Sequence, residues 1–408
     1  MVITTVSRDL PLTPADAQRL GQAHALLQAG RAAEARAACE TVLRLRPGQA
    51  DALHLLALAL RHLGDTAAAR RAFNASLAVR PRQPQLLNNL GNMLGNLGQW
   101  QEALDAYARA LKIDPRFLDA WINRGLTALQ AGDTSQAMRA LEQATRLDPN
   151  AAKAWHGLGS ACRAAGRITD AIHAFRRAVA LDPRNGAAWV NLGNCLRQDG
   201  EPAEALEAFD RAAGAGFTGP ELADGKAGAL LDLGDTARGI AGYRTLAQTF
   251  PRYAVAHDVL AKLIWEHGLP EEPTAGFRAA LDKYPRDQEL WFGLVRTLLS
   301  QERWSDALDA IDAGLHALGD HPVLLYARAR ALSGLGDLAS ATATFTRAAV
   351  MLPEDVALRV EFARHLLLAR DPAAAAEHAE RATRLAPDAQ AAWAYLGTAW
   401  RLLDDPRE

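Results

Sequence analysis

Apolar residues recur along the chain at spacings of three and four, the pattern of an amphipathic helix with one buried face. The helical segments come in pairs. A glycine often separates the two segments of a pair, as at Gly64, Gly98 and Gly166, and a proline often follows the second, as at Pro115 and Pro149. Glycine takes positive φ without a Cβ clash, and proline cannot continue a helix. Each pair therefore predicts two helices, a first and a second, separated and closed by turns.

The prolines fix the length of this unit. Five are each 34 residues apart, and four more continue the series after skipped periods. They are Pro47, Pro81, Pro115, Pro149, Pro183, Pro251, Pro285, Pro353 and Pro387. A fixed period of this length is typical of a helical repeat array. If each repeat ends two residues after its proline, eleven repeats fill residues 16–389 without insertion or deletion, and places 1 to 34 can be numbered within each.

Several places hold one kind of residue. Place 4 is often large and apolar, place 8 small, place 15 glycine, place 20 alanine and place 24 aromatic. The fifth repeat shows the pattern almost complete, with Trp155, Leu158, Gly159, Gly166, Ala171, Phe175, Ala178 and Pro183. This pattern resembles the tetratricopeptide repeat. The resemblance implies an all-α, right-handed α-solenoid of eleven helix pairs, in which the first helices line a concave groove.

The domain organisation follows from the repeat count. We expect a leader at residues 1–15, the array at 16–389 and a C-terminal capping or junction helix at 390–408. Repeats six and nine lack the proline, so Pro220 and Pro322, three residues later, are expected to break the chain instead. The stretch 213–228 is rich in glycine, which weakens helices. It is either a soft joint in the solenoid or an ordinary long turn.

The C-terminal stretch resembles one more first helix without a second helix after it. Trp393, Tyr395, Trp400, Leu402 and Leu403 spread around its circumference, whereas a terminal repeat normally turns a polar face outward. We therefore expect this helix to dock on a partner, to associate with a second copy of the chain, or to join a longer polypeptide.

In the tetratricopeptide family, places 2, 5, 6, 9, 12 and 13 of the first helix face the groove. In the third, fourth and sixth repeats, several of these places hold asparagine. These residues are Asn88, Asn89, Asn92, Asn123, Asn191 and Asn194. A side-chain amide offers a donor and an acceptor to a peptide group. The sequence Asn-Leu-Gly-Asn, at 89–92 and 191–194, resembles the repeats of O-GlcNAc transferases, where an asparagine ladder holds an extended peptide. Alternatively, the place-6 asparagines only bond the neighbouring repeat, and Gly157 interrupts their row.

A second group is basic and aromatic. Its residues are Lys262, Trp265, Phe292, Arg296, Tyr326, Arg330 and Arg364. Its four cations occupy place 9 of successive repeats. Residues four apart touch on a helix, so Phe292–Arg296 and Tyr326–Arg330 are candidate cation–π pairs. The group predicts a site for an acidic or aromatic peptide segment.

The alternative for this basic group is internal salt bridging. Asp258 is placed to pair with Lys262, whereas Arg330 and Arg364 have no evident acidic partner. A third, acidic group is either part of the groove or a solvated face. Its residues are Glu221, Asp224 and Asp232.

Composition narrows the possible functions. The net charge of −2 disfavours nucleic acid and anionic membranes as partners. The three cysteines, Cys39, Cys162 and Cys195, are too few and too far apart for a disulfide or zinc framework and are expected in the core. The N-terminus has no apolar signal segment, so a cytoplasmic location is the default. We find no catalytic motif and expect no cofactor.

Two functions follow. The first is a non-catalytic scaffold that binds an extended peptide or a partner protein in its groove. The second is the substrate-recruiting arm of a larger modifying enzyme, of the glycosyltransferase or 2-oxoglutarate/Fe(II) oxygenase type. The end of the chain, 392–407, resembles the repeat region that precedes putative oxygenase domains of bacterial proteins. The iron site of such an oxygenase needs His-x-Asp/Glu and a distant histidine, and we expect this chain to lack it.

Overall fold

A computed structural model describes residues 11–404, which form 23 α-helices and no β-strand. The odd-numbered helices are the first helices of the repeats: α1 (Pro14–Gln28), α3 (Ala50–His62), α5 (Pro84–Asn96), α7 (Leu118–Gln130), α9 (Ala152–Ala164), α11 (Gly186–Gln198), α13 (Pro220–Asp232), α15 (Ala254–Glu266), α17 (Gln288–Ser300), α19 (Pro322–Gly334), α21 (Val356–Leu368) and α23 (Gln390–Asp404). The even-numbered helices are the second helices: α2 (Ala32–Leu45), α4 (Thr66–Val79), α6 (Trp100–Ile113), α8 (Thr134–Leu147), α10 (Ile168–Leu181), α12 (Pro202–Gly214), α14 (Thr236–Thr249), α16 (Ala275–Lys283), α18 (Trp304–Leu318), α20 (Leu338–Met351) and α22 (Pro372–Leu385).

These helices confirm the predicted fold, an α-solenoid of eleven helix pairs followed by a half repeat. From α3 to α21, every first helix begins at place 1 and ends at place 13. The chain divides into two compact units, Met1–Thr218 and Gly219–Glu408, which we call unit 1 and unit 2. The predicted joint at 213–228 spans this boundary, and its softness stays a prediction. Residues 1–10 of the leader and residues 405–408 of the C-terminal segment lie outside the described residues.

The turn between the two helices of a pair is set at places 15 and 16. All nine place-15 glycines have positive φ, and Glu302 and Arg370 adopt the same left-handed conformation in repeats nine and eleven, with φ of 55° and 59°. An aspartate often follows at place 16. Asp65, Asp133 and Asp235 each accept a hydrogen bond from the backbone N–H three residues later, and so cap the N-terminus of the second helix.

Small residues let the two helices of a pair approach closely. The place-20 alanines are fully buried, as in Ala103 and Ala171. At place 8, a Cβ built on Gly159 would lie 2.7 Å from the ring of Phe175, the place-24 residue of the same repeat. The ring therefore packs against the backbone of the first helix, as the spacing of small and aromatic residues predicts.

Repeats six and nine change direction differently from the expectation. Pro220 and Pro322 do not end helices; each is the first residue of the following first helix. Helices α12 and α18 have already ended, and Gly216 and Gly319, with φ of 83° and 82°, turn the chain. A proline fits the first turn of a helix because its missing N–H would be unpaired there in any case.

Candidate functional site

The three asparagines at place 6 lie half-buried on first helices of unit 1, and each is bonded to the preceding repeat. The Nδ2 group donates to the side chain at place 5 of the preceding first helix, 35 residues earlier. The pairs are Asn89 with His54 Nε2 at 3.1 Å, Asn123 with Asn88 Oδ1 at 3.0 Å, and Asn191 with His156 Nε2 at 3.1 Å. This bond between repeats is the alternative that the sequence left open, so these asparagines contribute to the packing of the array.

One hydrogen bond uses only part of an amide. Each place-6 asparagine keeps its Oδ1 and its second N–H without a partner among the described residues, and none of the three Oδ1 atoms is buried away from solvent. Burial lowers the pKa of the His54 and His156 imidazoles, which favours the neutral ring that accepts the bond. The bond between repeats therefore fixes the position of an amide that can still donate and accept.

The other asparagines of the group differ in their partners. Asn88 is buried, and its side-chain oxygen accepts the hydrogen bond from Asn123. Asn92 accepts a 2.7 Å hydrogen bond from the hydroxyl of Tyr107 on its own second helix. Asn194 is half-buried and makes no hydrogen bond within residues 11–404, because Phe209 stands where the third repeat has its tyrosine.

Three of the four cations of the basic group, which lies in unit 2, are salt-bridged. Lys262 pairs with Glu266 at 3.7 Å, Arg364 with Glu361 at 3.0 Å, and Arg296 with Asp258 of the preceding repeat. Asp258 therefore bonds Arg296 and not Lys262, and the expectation that Arg364 has no acidic partner is wrong. A pairing between repeats depends on how two helices sit against each other, which the order of residues along one helix does not give.

Arg330 is the exception in the basic group. Its guanidinium lies 6.0 Å from the ring centroid of Tyr326, as predicted, and it forms no ion pair within the described residues. Burial raises the pKa of Tyr326 to about 12. The other predicted cation–π pair is replaced by a different contact, since the ring of Phe292 packs against His321 with centroids 4.9 Å apart. Trp265 is 58% exposed.

The acidic group is tied in part to the core. The Asp224 carboxylate accepts hydrogen bonds from Tyr243 at 2.8 Å and from Tyr253 at 3.4 Å. Burial, with the nearby Asp224 charge, raises the pKa of Tyr253 to about 12. These bonds assign Asp224 to the packing of its own helix pair.

The residue at place 4 often donates a hydrogen bond, which the large apolar side chains at this place did not lead us to expect. Each tryptophan at this place donates its indole N–H to the carbonyl of the proline six residues earlier, at the end of the preceding repeat. The pairs are Trp121 with Pro115, Trp155 with Pro149, Trp189 with Pro183, Trp291 with Pro285 and Trp393 with Pro387, at 2.8–3.0 Å. His257 and Arg359 bond Pro251 and Pro353 from the same place. A hydrogen-bond donor six residues after the proline was the signal for this contact.

No constellation for catalysis emerges from the described residues. The three cysteines are buried and free, and burial raises the pKa of Cys39 to about 12 and that of Cys195 to about 11. No group of three potential metal ligands lies within residues 11–404. One triplet, His378-Ala-Glu380, has the spacing of an oxygenase iron ligand, but His378 accepts a hydrogen bond from Arg359 at 2.9 Å. None of the helices of the described chain combines the length and hydropathy needed to cross a bilayer.

Repeated helix pairs with an invariant place-15 turn define a helical repeat protein. Family models described as tetratricopeptide repeats match residues 20–85, 84–117, 122–183, 163–220 and 275–322, more than half of the chain. The chain therefore belongs to the tetratricopeptide repeat family, whose fold serves protein interaction. A comparison with curated proteins gave no match.

Three solved structures of other proteins are similar to part of this chain. A tetratricopeptide repeat protein from Parabacteroides merdae is 16% identical, with a TM-score of 0.46 over 62% of this chain and 99% of its own. MamA from Desulfovibrio magneticus is 24% identical, with a TM-score of 0.39 over 41% of this chain and 94% of its own. YrrB, a repeat protein with an unusual peptide-binding site, is 19% identical, with a TM-score of 0.41 over 45% of this chain and 95% of its own.

Proposed function

We propose that this protein is a non-catalytic interaction scaffold whose first helices bind an extended peptide or a segment of a partner protein. The observation that carries the proposal is the partly satisfied row of amides at Asn89, Asn123 and Asn191. Each is held in place by the preceding repeat, keeps an oxygen that is open to solvent, and has a second N–H with no partner among the described residues. A peptide backbone has matching groups along its whole length.

In unit 1, each hydrogen bond to a bound peptide adds little to the free energy of binding. A hydrogen bond between amides contributes about 0.5–1.5 kcal/mol net. Several amides must therefore act together, and an amide already fixed by one bond loses less side-chain entropy when it binds. Asn194 adds a fourth amide, which makes no hydrogen bond within residues 11–404.

In unit 2, the basic group favours an acidic segment. Arg330 is positioned by the ring of Tyr326 and has no carboxylate in the described chain, so an incoming carboxylate meets a cation that is not already neutralised. A charge-assisted hydrogen bond of this kind contributes about 1.5–3 kcal/mol. The exposed ring of Trp265 offers an apolar contact in the same unit.

Selection of a random peptide library against the protein tests this function. Asn194→Ala and Arg330→Gln are the informative variants, because neither side chain makes a hydrogen bond or an ion pair within the described residues. Lost binding is then not the result of a lost internal contact of that kind. Asn92→Ala serves for comparison, because it also breaks the bond to Tyr107.

We expect Asn194→Ala to weaken peptides selected by unit 1 by about twofold to tenfold, the effect of one hydrogen bond. Arg330→Gln should weaken acidic peptides by about tenfold or more. Thermal unfolding followed by circular dichroism checks that both variants stay folded. Selected peptides that bind both variants as tightly as the wild type would rule out these surfaces of the first helices as the site.

The recruiting arm of a larger enzyme stays a prediction, as does self-association through the C-terminal helix. A cytoplasmic location and the lack of nucleic-acid and membrane partners likewise stay predictions from the sequence.

A further inference from the structure

The three bonds between place 5 and place 6 of successive first helices have similar lengths but different acceptors. The acceptor of Asn123 is the amide oxygen of Asn88, at 3.0 Å. The acceptor of Asn89 and of Asn191 is an imidazole nitrogen, at 3.1 Å. An amide oxygen accepts whatever the pH, but an imidazole nitrogen accepts only while it carries no proton. Two of the three bonds therefore depend on the protonation of a histidine, and the third does not.

A protonated ring reverses the direction of its bond. Both ring nitrogens then carry hydrogens and can only donate, so the asparagine N–H faces another donor. Half a turn of the amide about its last side-chain bond puts Oδ1 in the place of Nδ2, where it accepts a charge-assisted hydrogen bond from the ring. The NH2 group takes the solvent-facing position that the oxygen held. The amide stays bonded to the preceding repeat, but toward solvent it changes from an acceptor to a donor.

His54, the acceptor for Asn89, is half-buried, and its ring centroid lies 6.1 Å from that of Phe73 on α4. Burial is the main cause that lowers the pKa of His54. Asp51 of the same helix opposes this effect, whereas Arg61 of the same helix and His24 of α1 add to it. The ring is therefore neutral at neutral pH and takes up its proton below about pH 6.5.

His156, the acceptor for Asn191, is also half-buried, with its ring centroid 5.7 Å from that of Phe175 on α10. Burial lowers the pKa of His156, and no charged side chain of the described residues contributes. This ring too takes up its proton below about pH 6.5. The amides of repeats three and six thus respond in the same direction to a fall in pH.

We propose that His54 and His156 make peptide binding by unit 1 dependent on pH, because their protonation turns the amides of Asn89 and Asn191. The inference rests on the proposed function and adds its regulation. At neutral pH, the two amide oxygens accept hydrogen bonds from N–H groups of a bound peptide. In acid, the same peptide groups meet N–H donors and lose their acceptors, so the peptide is released. By linkage, a bound peptide lowers the pKa of both imidazoles.

The size of the effect follows from the number of bonds that are lost. One hydrogen bond changes the dissociation constant about twofold to tenfold, so two change it about fourfold to a hundredfold. We expect the wild type to lose this much affinity as the pH falls through the pKa values of the two rings, below about pH 6.5.

Fluorescence anisotropy at a series of pH values measures this loss. The probe is a peptide that binds the wild type and is weakened by Asn194→Ala, which assigns it to unit 1. It comes from a library without Asp, Glu and His, so its own side chains do not titrate in this range. Circular dichroism defines the pH range in which the protein stays folded, and affinities are compared only within it.

The double variant His54→Asn/His156→Asn is the control. It copies the bond between Asn88 and Asn123, whose acceptor does not titrate. His24 is retained, so its titration contributes equally to the wild type and to the variant. We expect the ratio of affinities at neutral and acid pH to be about fourfold to a hundredfold in the wild type and close to one in the variant, whatever the variant's affinity at neutral pH.

Nuclear magnetic resonance follows the amides and rings without a peptide. In histidine labelled with 15N, the ring shifts distinguish a bare nitrogen from a protonated one. We expect Nε2 of both histidines to be bare at neutral pH. The side-chain amide signals of Asn89 and Asn191 should shift in acid with the midpoints of their own histidines, whereas the signal of Asn123 should not.

The outcomes separate this inference from the proposed function. Peptides that bind with the same pH dependence in the wild type and in the double variant overturn the inference and leave the function in place. So does Nε2 protonated at neutral pH, or a histidine midpoint outside the range in which the protein is folded. If the library yields no peptide that binds, both the function and its regulation are overturned.

Discussion

Some places of the repeat require a particular backbone conformation, whichever residue occupies them. Place 15 requires positive φ, and the sequence meets this with glycine in nine repeats. Glu302 and Arg370 adopt the same conformation although they have a Cβ, at a cost of roughly 1–2 kcal/mol. The period alone predicted the turn at these positions, because the neighbouring places keep their register.

Replacing Glu302 by glycine should relieve that strain. Part of the gain is lost because glycine is more flexible in the unfolded chain, by about 0.5–1 kcal/mol. We expect Glu302→Gly to raise the free energy of unfolding of unit 2 by up to about 1 kcal/mol. Gly336→Ala, at the same place one repeat later, should lower it by a similar amount. Urea unfolding followed by circular dichroism measures both, and a loss of stability in Glu302→Gly would contradict the argument.

The choice of side-chain partners was harder to predict at single positions. The sequence correctly placed Arg330 beside Tyr326, because residues four apart are neighbours on the surface of one helix. It failed for Asp258, which bonds Arg296 on the next first helix and not Lys262 on its own. Which of two cations an acidic residue pairs with across two helices depends on the separation and orientation of the helices. The residue spacing within one helix does not give these.

Within a helix pair and its junction to the next, the elements were largely predictable. In repeat eight, Pro273 occupies the place that holds alanine in most second helices. Helix α16 begins only after this proline, at Ala275, because proline does not fit inside a helix. The contact between place 4 and the preceding proline was missed, because tryptophan was interpreted as an apolar residue only.

The indole contact should contribute measurably to the junction between repeats. Trp155→Phe keeps an aromatic ring but removes the 2.8 Å bond to the Pro149 carbonyl. Since water can reach this carbonyl, we expect the lower end of the usual range, a loss of about 0.5–1 kcal/mol in the free energy of unfolding of unit 1. Trp100→Phe is the control, because Trp100 makes no hydrogen bond in the described part of the chain. Equal losses in the two variants would exclude a special role for the bond.

For the chain as a whole, the fold was predictable because one pattern is repeated eleven times, and each repeat tests the register of the others. Local errors, such as the function assigned to Pro220, do not shift that register. The contacts of the proposed binding residues are not repeated in this way. Among the described residues, Asn194 makes no hydrogen bond and Arg330 no ion pair, whereas Asn92, Arg296 and Arg364 at the same place do have such partners. These differences had to be found one contact at a time.

Buried histidines make the stability of both units sensitive to acid. Burial lowers the pKa of five imidazoles, those of His54, His156, His257, His365 and His378. His365 is fully buried, with Ser333 at 2.8 Å from Nδ1 and Thr342 at 2.9 Å from Nε2. An unfolded histidine takes up a proton near pH 6.5, whereas these folded ones stay neutral to lower pH. Their stabilisation is therefore complete above about pH 6.5 and declines below it.

We expect the free energy of unfolding of unit 2 to fall as the pH drops below about 6.5, by up to about 1.4 kcal/mol per pH unit for each such histidine. His365→Gln removes one titrating group, so its slope should be smaller by up to that amount whatever its stability at neutral pH. His316→Gln, at an exposed position, is the control and should keep the wild-type slope. Urea unfolding at a series of pH values gives the slopes. If His365→Gln keeps the wild-type slope, protonation of His365 is not among the causes of the acid sensitivity.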